Sequence, residues 1–133
     1  MKKAVLIARL LLGLSVFGFG LNNVLHFLKM SPGPPSDATT FNTILVGHGY
    51  MSFVGILMVV GGLLLLVGRF VPLGLVLLGP VLINILLYHA LIAPEDGIGA
   101  AIPGLVLTLL EIFVIWAYRR NFSGLFAAAP EVS

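Results

Sequence analysis

Four apolar stretches, each long enough to cross a bilayer, occupy nearly all of the 133 residues. They run over roughly 4–28, 43–68, 71–92 and 100–118. Crossing about 30 Å of hydrocarbon takes about 20 residues of helix, and each stretch meets that length. The expected fold is therefore all-α and polytopic: an antiparallel four-helix transmembrane bundle forming one domain. Sequential helices are expected to be neighbours, with the fourth returning beside the first. Composition agrees, because a chain 59% hydrophobic and 9% charged could not be wetted as a soluble domain of this size. No cysteine is present, which excludes disulfides, thiolate metal sites and cysteine nucleophiles.

The few charges set orientation. Lys2, Lys3 and Arg9 open the first stretch, Arg69 follows the second, and Arg119 and Arg120 follow the fourth. Lys29 alone falls on the other side, in a loop shared with Asp37. The bias of Lys and Arg toward cytoplasmic loops places both termini in the cytoplasm, with the inner membrane as the location. Glu95 and Asp96 then lie outside. The net charge of +2 is spread over helix ends, so no nucleic-acid partner is expected and the lipid bilayer is the main one. The first stretch exceeds a signal-peptide core and lacks a small-residue cleavage site, so a retained span is expected.

Proline and glycine punctuate the chain. Ser36-Asp37 is suited to cap a short turn leading into the second span. Pro72 suits the first turn of the third helix. Pro80 lies inside that helix, Pro94 ends it, and Pro103 falls in the first turn of the fourth. Gly13 and Gly20 share a stripe with Arg9 and Asn23, and Gly55 and Gly62 share one with His48 and Ser52. Small residues let membrane helices approach closely, so these stripes mark packing faces and turn their polar groups inward.

Two polar constellations follow. Arg9 and Glu111 lie at similar depth on the first and fourth helices. A glutamate in hydrocarbon calls for a partner, so an intramembrane ion pair is expected, with a proton-handling carboxylate as the alternative. At the opposite end His26, His48 and His89 fall near three helix ends, with Asn22, Asn23, Asn84, Tyr50 and Tyr88 within about two turns. Imidazoles gathered at one depth can hydrogen-bond a quinone carbonyl, ligate haem or bind a metal. Interfacial anchoring is the plainer reading. Asn84 and His89, five positions apart, cannot share a site on a regular helix, and Asn84 pairs better with Tyr88.

The runs KKAVLIARLLLGLSVFGFGLNNVLHFL, VVGGLLLLVGRFVPLGLVLLGPVLINILLYH and LTLLEIFVIWAYRRNFSGLF resemble the DoxX family of small four-span bacterial membrane proteins. The likeness covers almost the whole chain, and Arg9 matches the family arginine. Many members carry a glutamate where this chain has Met58. The resemblance implies a membrane subunit of an oxidoreductase system, working with partner subunits and holding a quinone or similar hydrophobic ligand near the outer face. The alternatives are a haem- or metal-binding bundle, and a structural or small-solute transport component. No nucleophilic triad, phosphate loop or dinucleotide fingerprint is present, so no catalytic residues are assigned and autonomous catalysis is not expected.

Overall fold

The computed structural model describes residues 1–28 and 33–133, and among these every regular element is helical. The five α-helices are α1 (Lys2–Leu25), α2 (Asp37–Gly47), α3 (Tyr50–Val67), α4 (Val71–Leu87) and α5 (Ile98–Ala117). α1, α3, α5 and the run Val71–Ile92 are long and apolar enough to span a membrane. The polytopic four-helix architecture is thus the observed one. Lys29 lies outside the described residues.

Element ends follow local chemistry. Ser36 caps α2 as expected, its side chain accepting from the Thr39 amide at 3.2 Å, and Asp37 complements the positive end of the helix dipole. Pro72 sits in the first turn of α4. α1 ends at Leu25, before the expected residue 28, because His26 turns into the left-handed region (φ 53°). Asn22 secures that turn: its carbonyl accepts from the His26 amide and its side chain from the Leu28 amide, both at 2.8 Å.

Two further boundaries differ from expectation. The stretch 43–68 is not one helix: His48 closes α2 and Gly49, at φ 76°, breaks the chain before α3 begins at Tyr50. Glycine carries that conformation without a Cβ penalty. The fourth helix starts at Ile98, so Pro103 falls in its second turn rather than its first. The end of the third span has a character of its own. Tyr88–Ile92 is a π-turn in which the Ala93 amide reaches Tyr88 at 2.9 Å, and Pro94 then starts a short 3-10 turn.

The most extensive interface is α1 against α3, followed by α3 against α4, and α5 packs on both α4 and α1 to close the bundle. The glycine stripes form the first interface. A Cβ on Gly20 would lie 2.8 Å from the Gly55 carbonyl, and one on Gly62 would lie 2.8 Å from that of Gly13. Gly61 and Gly74 play the same part between α3 and α4. Lipid tails give no hydrophobic drive between helices, so this close van der Waals contact is what holds them. Leu12, Val16, Leu65, Leu75, Leu78, Leu82 and Val114 fill the interior.

Candidate functional site

Antiparallel packing sorts the polar groups to two ends. The terminal end holds the start of α1, the α3–α4 turn and the finish of α5. The opposite, loop end holds α2, the π-turn and the start of α5.

At the terminal end Arg9 does not meet Glu111. Its Nη1 donates to the Tyr118 hydroxyl at 3.1 Å, and its Nε is buried without a partner. Gly68 makes the space: a Cβ there would lie 3.0 Å from Arg9 Nη2, and φ is 78°. The expected Arg9–Glu111 pair is therefore absent. The guanidinium runs along its own helix toward the terminal end, where Gly68 and Tyr118 receive it, a snorkelling geometry. A cleft of about 520 Å³ opens beside it, lined by Lys2, Arg9, Trp116, Tyr118 and Arg119 among others. Arg119 lies over the Trp116 ring, 4.6 Å from its centroid.

Glu111 is left deeper in the bundle. It is 3% exposed, and neither carboxyl oxygen has a hydrogen-bond partner. The side chain faces Gly79 of α4, where a Cβ would lie 3.5 Å from Oε1.

The residues expected to form one loop-end pocket are dispersed. His26 and His48 are exposed at chain breaks. Asn22 is used by the end of its own helix, and Asn23 donates to the Met58 sulfur at 3.6 Å. Asn84 is exposed on α4 and donates to the Pro80 carbonyl at 2.8 Å, so it pairs with its own helix and not with Tyr88. Tyr50 is exposed as well. Among the described residues no three His, Asp or Glu side chains are grouped to hold a metal. Tyr88 and His89 do remain together, with ring centroids 5.1 Å apart at 77°.

That pair has partners not foreseen from sequence. Asn42 of α2 donates to the Tyr88 hydroxyl at 2.8 Å, and Phe41 stacks on the same ring at 6.0 Å. Both residues precede the stretch read as the second span, and no local pattern ties α2 to Tyr88. The tyrosine is thereby held on one side of His89. His89 also lines a groove of about 390 Å³ between the π-turn and α5, together with Leu86, Ala90, Ile98, Ala101 and Leu105 and with Pro94 and Gly97. His89 Nδ1 is buried and, among the described residues, without a partner. A π-turn inserts one residue into the helical register, and such turns often occur at functional sites.

The chain is similar to the uncharacterised protein YwoB of Bacillus subtilis (strain 168). The two are 29% identical over 129 residues, a match covering 92% of this chain and 81% of that protein. No family model and no solved structure matches the chain. The DoxX resemblance accordingly rests on the sequence runs and carries into function only as a proposal.

Proposed function

We propose that this chain is a DoxX-like membrane subunit that holds a quinone, or a similar flat apolar ligand bearing a carbonyl, in the loop-end groove against His89. One observation carries the reading: His89, whose Nδ1 is buried without a partner among the described residues, lines an otherwise apolar groove. Buried polar atoms are normally satisfied, and a neutral imidazole with Nδ1 protonated donates to a carbonyl oxygen. The ligand's ring would pack on Leu86, Ile98 and Leu105, with its tail in lipid. Asn42 and Tyr88 are positioning residues, fixing the ring beside His89.

This narrows the site expected from sequence to one anchor and its support. The reaction itself would be left to partner subunits of an oxidoreductase, since no group beside His89 is placed for acid, base or electron transfer. The histidines do not gather as a metal centre requires, and that reading is not carried further. Orientation follows from charge. Gly68 meets Arg9, so the Arg69 turn lies at the same end as both termini and as Lys2, Lys3, Arg119 and Arg120. That end is read as cytoplasmic, which sets the groove at the outer face of the inner membrane.

The test is solvent extraction of the purified protein, read by absorbance and mass spectrometry, together with titration by a short-chain ubiquinone. We expect bound quinone or saturable binding in the wild type, weakened at least tenfold in His89→Leu and unchanged in Asn84→Ala. Absence of both bound quinone and saturable binding would overturn the assignment.

A further inference from the structure

The groove makes no use of Glu111, the single buried acidic residue among those described. We infer that Glu111 is a proton-binding site that exchanges with the aqueous phase at the terminal end of the bundle. This goes beyond the quinone reading and does not depend on it.

The surroundings of the carboxyl carry the argument. α5 packs against α4 and α1. α4 has no ionisable residue at all, and it meets Glu111 with Gly79. α1 contributes Lys2, Lys3 and Arg9. The two lysines are exposed, and Arg9 is turned away onto Tyr118. α5 itself carries no other acid or base. α3, further round the bundle, adds only Tyr50, at the loop end. Among the described residues Glu111 thus has no counter-charge, and an isolated carboxylate among apolar side chains is far costlier than the neutral acid. The bound species must therefore neutralise it. Metal cations of the calcium and magnesium class want about six oxygens, and among the described residues no second acidic or histidine side chain gathers with Glu111 to supply them. A proton needs one.

Access comes from the terminal end. Glu111 and Tyr118 are seven positions apart (118 − 111), hence on one face of α5 and about 10 Å apart along its axis. Tyr118 and Arg9 line the 520 Å³ cleft that opens between α1 and α5. Arg9, which lines that cleft, keeps a buried Nε without a partner among the described residues. Glu111 therefore lies about two helical turns deeper than Tyr118, on the α5 face that reaches the cleft through Tyr118.

Infrared spectroscopy of the protein in lipid tests this directly. A protonated-carboxyl band is expected at neutral pH in the wild type, lost in Glu111→Gln and shifting on transfer to D2O. Asp37, Glu95, Asp96 and Glu131 are exposed, so the variant assigns the band. Should Glu111→Gln fail to fold, Glu111→Asp, which keeps the acid and alters its band position, makes the assignment. No assignable band would overturn the inference, and so would a band that ignores D2O. A second readout separates function from scaffolding. Glu111→Met should melt at or above the wild-type temperature, because a proton site is not a structural tie. Marked destabilisation by Met would assign Glu111 to structure instead.

Discussion

Arg9 and Glu111 show how one glycine redirects a charge. Depth along two helices places them together, yet the guanidinium takes the space that Gly68 leaves and bonds to Tyr118. Gly68→Ala adds a methyl 3.0 Å from that group at a position with φ 78°. Strain and displacement together should cost about 2 kcal/mol, seen as a lower melting temperature in detergent. Tyr118→Phe removes one charge-assisted hydrogen bond and should cost about 1 kcal/mol, with the fold kept. The Asn42–Tyr88 bond is read in the same way. Asn42→Ala should weaken short-chain quinone binding several-fold without lowering the melting temperature by more than a few degrees, because Asn42 is exposed and acts only through Tyr88.

Among elements, α1 and α3 approach closely along their glycines. Two neighbouring glycines of α1 make the contrast. A Cβ on Gly20 would meet the Gly55 carbonyl and the Met58 Cβ at 2.8 Å, whereas one on Gly18 meets nothing within 4 Å. Gly20→Ala should therefore destabilise by about 2 kcal/mol through overpacking. Gly18→Ala should stabilise by about 0.5–1 kcal/mol, since alanine is the better helix former. Thermal unfolding of the two variants side by side checks both signs. The stripes holding Gly13, Gly20, Gly55 and Gly62 were readable as packing faces, because a seven-residue spacing returns to the same side of a helix. Which stripe meets which is a property of the pair, visible only once the helices are docked.

For the whole molecule, charge and connectivity agree. Four spans bring both termini to one end, and the six basic residues outside the undescribed segment share it. Tags placed at the two termini should be protected together in sealed right-side-out vesicles and become accessible together in inverted ones. Protection of one tag without the other would break the antiparallel arrangement.

Fold class, span number, the Ser36 cap and the glycine faces were all legible in the chain, because each depends on residues within a few turns of one another and on lipid as solvent. The break at Gly49, the π-turn at Tyr88 and the fates of Arg9, Glu111 and Asn84 were not. Periodicity tells which side of a helix a residue occupies, but not whether a partner on another helix reaches it. The histidines illustrate the difference: three at one depth in sequence became two exposed at chain breaks and one half-buried beside a groove, with its Nδ1 unpartnered among the described residues. Hydrophobic length alone made this a membrane bundle. Only the docking of helices decided which polar atoms found partners, since hydrogen bonds need contact within about 3 Å and sequence fixes no distance across space.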